Sequence, residues 1–502
     1  MKLPSTVQGY LDDIPQWEDG HPVRQVGLSR PQWRIWALAS AGKFFEGMVV
    51  FMVGVALPLI AVEFDLTSTE KGIVSAATLF GILVGATALG NLSDRFGRKA
   101  MFFAEMVLFC IFLAVTIFAP SFIILVIALI GLGLALGCDY PTAHTMISET
   151  IPTSARGRLV LSAFGFQAVG AVAGTVVGMI VLGNRDSVSD WRIMFAVVIV
   201  PAILVTVARW SVVQSPHWLV EVGRTGEAEK ELSKLVERPV KLSKKEKKAI
   251  KAAIKKKSGV GELFRKPWRR STILGSVPWF LQDLGTYGIG IFTPTIVAAT
   301  VGTAAADDDS LSALIQTDYM SAKGAAFIDA FLLVGIVLAV VLVPKVGSIK
   351  LQVWGFVGCA IGLAVAAASA AFDSSLQVVL IFTGFMLFNL MTNIGPNSQT
   401  YLLAGEVFPT YLRGTGAGFA ASFGKVGAVL TSFLFPILLV AWGQTAILLV
   451  LVATSLLGAW VTWKFRVETT GKSLAELDAL VSEAQTSEAS TEDDSIAKER
   501  LA

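Results

Sequence analysis

Glu149-Thr-Ile-Pro-Thr-Ser-Ala-Arg156-Gly157 and Glu406-Val-Phe-Pro-Thr-Tyr-Leu-Arg413-Gly414 share one pattern, E-x-Φ-P-T-x-x-R-G, at an offset of 257 residues. The same offset brings Val169-Gly170-Ala171-Val172 onto Val426-Gly427-Ala428-Val429. The chain is therefore read as two related halves. Outward from the two copies the sequence is strongly apolar. Candidate spans read at 36–62, 72–92, 100–119, 122–147, 159–183, 191–212, 271–300, 323–344, 350–372, 376–403, 414–440 and 442–465. Each repeated motif follows the fourth span of its half. A bilayer span needs about 20 apolar residues, so the expected fold is an all-α membrane protein, with twelve transmembrane helices in two pseudo-symmetric six-helix halves.

Composition agrees. Of the 502 residues 54% are hydrophobic and 16% charged, where soluble domains carry roughly 25% charged residues, and mean hydropathy is +0.66. Residues 1–35 form a polar N-terminal segment with Pro4, Pro15, Pro22 and Pro31 and no cleavable-signal pattern, so the first span is expected to direct insertion. The halves are 36–212 and 269–466, separated by a central loop, 213–268, with 15 Lys/Arg against 7 Asp/Glu. The turn after the second span adds Arg95, Arg98 and Lys99, whereas loop 302–322 has Asp307, Asp308, Asp309 and Asp318 and no Lys or Arg. Positive charge stays inside, so both termini and the central loop are expected to be cytoplasmic, in a multi-pass protein of the plasma or inner membrane. The run 241–257, KLSKKEKKAIKAAIKKK, reads as a solvated or membrane-skimming helix, with an anionic partner as the alternative. Residues 467–502 form a cytoplasmic tail, which after about residue 476 is acidic and rich in Ser, Thr and Ala, the composition of a disordered segment. Cys110, Cys138 and Cys359 each sit in an apolar stretch without metal or CxxC spacing and read as small hydrophobes.

An ionisable group inside a span costs at least about 2.5–3.5 kcal/mol near the centre and marks a functional site by default. Glu46, Asp139, Asp283 and Lys425 stand out in the first, fourth, seventh and eleventh spans. Lys43 precedes Glu46 by one helical turn, so a purely structural pair is the bland alternative there. Trp279, Asp283 and Tyr287 follow at i, i+4 and i+8 and share one helical face. An aromatic stripe alone is more often packing, but an acid between the aromatics turns the reading towards a site. Asn397, in Asn393-Ile-Gly395-Pro396-Asn397, lies nine residues before Glu406, and Asp139 lies ten before Glu149. Gln167 and Lys425 occupy neighbouring repeat positions. Polar groups at matching depth are what a shared central cavity requires. A lysine there favours an anionic substrate, and desolvated carboxylates beside it suit carrying a proton. His144 is the only histidine within a span and reads either as a proton relay or as a packing residue. Gly471-Lys472-Ser473 ends like a phosphate-binding loop, but Arg466 stands where the loop needs glycine, which excludes an ATPase reading.

Gly90-Asn-Leu92-Ser-Asp94-Arg95-Phe-Gly97-Arg98-Lys99 resembles the signature loop of the major facilitator superfamily, and its second-half counterpart, Val346-Gly347-Ser348-Ile349-Lys350, is eroded. The E-x-Φ-P-T-x-x-R-G pair is also typical. Gln214-Ser215-Pro216-His217-Trp218-Leu219 and Val467-Glu468-Thr469-Thr470-Gly471-Lys472-Ser473-Leu474 resemble the sugar-porter-like branch. The likeness covers about residues 35–475. Gly137-Cys-Asp139-Tyr140-Pro141, Trp279-x3-Asp283-x3-Tyr287, Gly395-Pro396-Asn397 and Gly424-Lys425 are most similar to the phosphate:proton symporters. That resemblance implies phosphate binding by Tyr140, Gln167, Trp279, Asp283, Tyr287, Asn397 and Lys425. It implies proton coupling by Glu46 and Asp139. A gating and signature set follows from it as well: Gly90, Asp94, Arg95, Gly97, Arg98, Glu149, Arg156, Glu406 and Arg413. Two residues depart from the pattern: Val49 stands where a second acid is usual, and Cys138 replaces a glycine.

The expected function is proton-coupled symport of a small anion, inorganic phosphate by resemblance, through alternating access. The alternatives are an organic acid or other metabolite on the same scaffold, or a non-transporting membrane sensor. No nucleophile–base set or metal cluster points to an enzyme, and no cofactor or nucleic-acid partner is expected. The expected partners are the anion, a proton and the lipid bilayer, with the chain acting as a monomer.

Overall fold

The computed structural model describes residues 6–13, 28–89, 92–242, 260–301, 311–372, 374–408 and 412–467. Gly90, the run from 243 to 257, Asp307–Asp309 and the tail from 468 lie outside them. Every regular element among the described residues is helical. The first half comprises α1 (Arg30–Glu63), α2 (Ser68–Val84), α3 (Arg98–Ile117), α4 (Phe122–Thr150), α5 (Thr153–Leu182) and α6 (Trp191–Trp210). The second comprises α7 (Lys266–Val301), α8 (Leu311–Val346), α9 (Ser348–Ala368) and α10 (Ser374–Ile394, resuming after Gly395 as Pro396–Glu406). The last helical stretch, Arg413–Lys464, breaks at Gly443, whose φ of 78° belongs to glycine. Residues 413–442 are α11 and 444–464 are α12.

Ten of the described helical stretches are long and apolar enough to cross a membrane. Dividing the last at Gly443 and adding the 36-residue α7 makes twelve. Large apolar side chains such as Phe118, Leu204, Val207, Val337 and Val440 are exposed around the bundle. Exposed Trp33, Trp210, Trp354, Trp442, Trp460 and Trp463 lie towards helix ends, as in the aromatic belts at membrane interfaces. Bilayer and protein interior are equally apolar, so the helices gain from close packing of small residues. Gly47 lies against the Gln167 carbonyl, and Gly170 against that of Phe44, locking α1 to α5.

Local signals explain where several helices start. Ser29 and Gln32 form a capping box ahead of α1, with Pro31 in its first turn, so this helix begins six residues before the expected span. Thr67 and Glu70 do the same for α2. Gly97 and Gly347, at φ of 96° and 90°, precede α3 and α9 in corresponding turns. The eroded second-half motif thus keeps the one residue its backbone demands. Two expectations need correction. Residues 311–322 are the start of α8 and not loop, which buries Asp318. Within 213–268 the segment is not featureless: Pro216–Glu221 and Thr225–Val236 are short helices whose apolar sides pack with the α4–α5 end of the first half.

The halves enclose a cavity of about 490 Å³ lined by Tyr140, Pro141, His144, Glu149, Trp279 and Tyr401 among others. It opens where α4 and α10 end and α11 begins, on the face that carries the segment after α6. The opposite face is sealed. Gly54 packs on the Ile291 carbonyl and Gly72 on that of Phe433, while the Phe292 and Phe435 rings stack at 4.5 Å.

Candidate functional site

At the deep end of the cavity five helices converge on Glu46. Its Oε1 accepts from the Tyr140 hydroxyl at 2.7 Å, Gln167 Nε2 at 3.1 Å and the Tyr287 hydroxyl at 3.3 Å. Its Oε2 pairs with Lys43 Nζ at 3.0 Å. Lys425 Nζ lies 3.8 Å from Glu46 Oε1 and 3.3 Å from Asp283 Oδ2, and donates to the Tyr287 hydroxyl at 2.6 Å. Gln167 Nε2 also donates to Tyr287 at 2.9 Å. α1, α4 and α5 contribute from one half, α7 and α11 from the other. All these side chains are buried, and two lysines balance two carboxylates. Such a group is costly to break: removing one partner of a buried pair typically destabilises by about 3–5 kcal/mol.

Trp279 faces the cavity one turn below Asp283, against Gly424 and 6.1 Å from the Tyr401 ring. The helical spacing of Trp279, Asp283 and Tyr287 therefore places all three on the site side of α7. Asn397 is near but separate. It accepts from Gln282 Nε2 at 3.1 Å and donates to Asn393 Oδ1 at 2.6 Å, next to the break at Gly395.

Asp139 does not face the shared cavity, contrary to the depth argument. One residue along a helix turns the side chain by 100°, so Tyr140 enters the cavity and Asp139 points into the first half. There Asp139 Oδ1 accepts from Arg209 Nη2 at 2.9 Å, and Arg209 Nη1 pairs with Glu105 Oε1 at 2.6 Å. The guanidinium also donates to the carbonyls of Phe102 and Leu38, both at 2.9 Å. Gly42 leaves room for the Asp139 carboxylate, which a β-carbon would displace. This second cluster holds two carboxylates on one cation, and neither Glu105 Oε2 nor Asp139 Oδ2 accepts from an N–H or hydroxyl donor among the described residues. Sequence reasoning missed Arg209 and Glu105, although both are ionisable residues within predicted spans. It also missed Tyr401, which crosses from α10 to stack on Phe164 of α5 at 4.4 Å. His144 lines the cavity 6.2 Å from the Tyr401 ring.

Of the gating set, Arg98 and Glu149 meet at 3.2 Å. Ser215 also donates to Glu149, and Gly97 packs on Gln214 and Trp218. His217 Nδ1 is 3.0 Å from the Glu149 carbonyl, and burial holds its imidazole below the ordinary value despite the nearby carboxylate. Arg156 instead donates to Gln8 at 3.0 Å, Arg95 is exposed over Phe96, and half-buried Glu406 ends α10. The side chains of Asp94 and Arg413 lie outside the described ones.

Residues 35–481 match the model of the family described as sugar (and other) transporter. The inner membrane metabolite transport protein YgcS of Escherichia coli is 31% identical over 454 residues, covering 89% of this chain and 94% of that one. The chain belongs to the sugar (and other) transporter family. A putative inorganic phosphate transporter of Schizosaccharomyces pombe is 26% identical over 497 residues, with 85% of each chain covered. Among solved structures, the partially occluded inward-open form of the xylose transporter XylE from E. coli superposes with a TM-score of 0.74 at 21% identity, covering 89% of this chain and all of that one. The protein is thus an integral membrane transporter of this fold, and its relatives are transport proteins.

Proposed function

We propose that this member of the family is a proton-coupled symporter of a small anion, inorganic phosphate, working by alternating access with the open cavity facing the cytoplasm of a plasma or inner membrane. The observation that carries it is the balance of charge around Lys425. Lys43 and Lys425 offset Glu46 and Asp283 at the junction of the two halves. An anion entering this buried site adds a negative charge in a medium that screens little, and protonating one carboxylate restores the balance. Anion and proton then bind together, which is what coupling requires. Lys425 and the hydroxyls of Tyr140 and Tyr287 supply donors, with Gln167, Trp279 and Asn397 around them. Asp283 is protonated when substrate binds, donating a hydrogen bond, and ionised on release. In the second cluster one guanidinium faces two acids, so Glu105 and Asp139 can hold a further proton. The likeness to a putative phosphate transporter supports phosphate.

A cavity of about 490 Å³ leaves room for a larger anion, which favours an organic acid as the second reading. Proteoliposomes with an imposed pH gradient separate the two: labelled phosphate should accumulate when the outside is acidic, and excess unlabelled organic acid should not compete. Competition by an organic acid without phosphate uptake would replace phosphate. Orientation is tested by Gly226→Cys, which should resist impermeant thiol reagents on intact cells, and labelling from outside would reverse it.

A further inference from the structure

Beyond both clusters, towards the sealed face, Asp329 of α8 is completely buried at the junction of the halves. Its Oδ2 lies 3.2 Å from the hydroxyl of Thr175, on α5 of the first half, and its Oδ1 lies 3.1 Å from Asn389 Nδ2 on α10. No ion pair reaches it among the described residues. The titratable residues of the packed helices lie elsewhere. Arg156 and Arg158 open α5, Tyr401 and Glu406 end α10, Lys43 and Glu46 of α1 and Asp283 and Tyr287 of α7 belong to the central cluster, and on α8 itself Lys323, Tyr319 and Asp318 lie six, ten and eleven positions back and Lys345 sixteen ahead.

The donors can be counted. Thr175 has one hydroxyl hydrogen. When Asp329 carries a proton, the Ala171 carbonyl, 2.7 Å from that oxygen and nearer than Asp329, takes the hydrogen. The Thr175 oxygen then has only lone pairs to offer, so its contact with Asp329 is a hydrogen bond when the carboxyl carries the proton and donates it. The Asn389 amide divides its two hydrogens between Asp329 and the Ile328 carbonyl, 3.3 Å away. As a carboxylate, Asp329 would have only two neutral donors, Asn389 and a Thr175 hydroxyl turned away from Ala171, and no cation among the described residues, in a place where burying charge is strongly unfavourable. As an acid, both of its oxygens are satisfied.

We propose that Asp329 is a proton-binding site that latches the two halves together at the sealed face, donating across the junction to Thr175. When that face opens, α5 and α8 part, Thr175 is lost as a partner and water reaches the carboxyl, which then ionises. Low pH therefore favours the sealed arrangement seen here, and rising pH releases it. The site needs no substrate, so it stands or falls apart from the phosphate reading.

The test uses double electron–electron resonance on the full chain without substrate, with Cys110, Cys138 and Cys359 replaced by alanine. Spin labels at Asn184→Cys and Leu311→Cys flank the junction at the sealed end, where Gly183 packs against Tyr319. In the unmodified background the widely separated population should grow at least roughly fivefold from about pH 5 to about pH 9. Asp329→Asn mimics the protonated acid, since its amide donates to Thr175 and its oxygen accepts from Asn389. It should stay narrow across the same range. Thr175→Val removes the cross-half acceptor and should show the wide population already at acid pH. An Asp329→Asn protein with the unmodified pH response, or a Thr175→Val protein as narrow at acid pH as the unmodified one, overturns the proposal.

Discussion

Tyr140 and Asp139 are neighbours on α4, yet they serve buried charge clusters of different kinds. Tyr140 joins Glu46 in a cluster that spans both halves, where two lysines meet two carboxylates and Tyr140 itself lines the cavity. Asp139 joins Arg209 and Glu105 in a cluster confined to the first half, closed by the carbonyls of Leu38 and Phe102. The first is neutral as it stands and contains groups from both sides of the moving junction. An arriving anion upsets its balance, and relative motion of the halves pulls its pairs apart. The second carries one carboxylate in excess and moves as part of one rigid half. It is suited to holding a proton rather than sensing a substrate. On the proposed function, the substrate site and the store of a further proton are separated by a single residue step on one helix.

The largest effect expected from breaking this division is at Lys425. Lys425→Ala should weaken anion binding by about 3–5 kcal/mol, some two to three and a half decades in Kd. Equilibrium binding in detergent measures it. If the variant binds phosphate as tightly as the unmodified protein, the central cluster does not recognise an anion and a neutral metabolite takes its place. Asp283→Asn is the companion. It keeps hydrogen-bond donors for the substrate, so it should bind but cycle poorly.

Next comes the second cluster. Asp139→Asn leaves Arg209 paired with Glu105 alone, which removes the excess acid and with it the site for a proton. Accumulation driven by a pH gradient should fall by tenfold or more, the order of one lost charge interaction of about 1.4 kcal/mol or greater, while exchange of labelled for unlabelled substrate persists. Binding affinity should change little, in contrast to Lys425→Ala. Unimpaired accumulation would take Asp139 out of proton coupling. A matching loss of affinity would show that the two clusters are not separate.

Much of this arrangement is legible in residue spacing. The repeated E-x-Φ-P-T-x-x-R-G motif, the capping boxes at Ser29 and Thr67, and the i, i+4, i+8 run from Trp279 to Tyr287 are local signals, and helical periodicity carries them into space. Direction across a bundle is not local. Whether Asp139 faces the cavity depends on how α4 is rotated against α1, α3 and α6, and Gly42 on another helix decides whether its carboxylate fits. Arg209 sits near the end of its span, where a cation ordinarily anchors at the interface. Only packing shows it buried against two acids. Asp329 was equally visible as a charge in an apolar run, but its partners come from α5, 154 residues before it, and α10, 60 residues after it.

The smallest effect concerns His217, and it guards the comparison against a false signal. Transport assays at acid pH will read as proton coupling any loss of protein that acid itself produces. His217 lies outside the membrane-spanning helices, next to the Glu149 carbonyl, to which a neutral Nδ1–H donates. Burial holds its imidazole below the ordinary value. The folded protein thus favours the neutral ring, while the unfolded chain takes up a proton at about pH 6.5. Its contribution is present above that pH and is lost as the pH falls, because the unfolded state then binds more protons. His217→Gln cannot titrate. At neutral pH it should cost about 1 kcal/mol or less, the worth of one hydrogen bond. Its Tm should decline less between pH 7 and pH 5 than that of the unmodified protein. Accumulation in a pH gradient should be unchanged per folded molecule. If His217→Gln instead abolishes accumulation, the proton path runs through the Glu149 region, and neither membrane-buried cluster can be treated as its sole store.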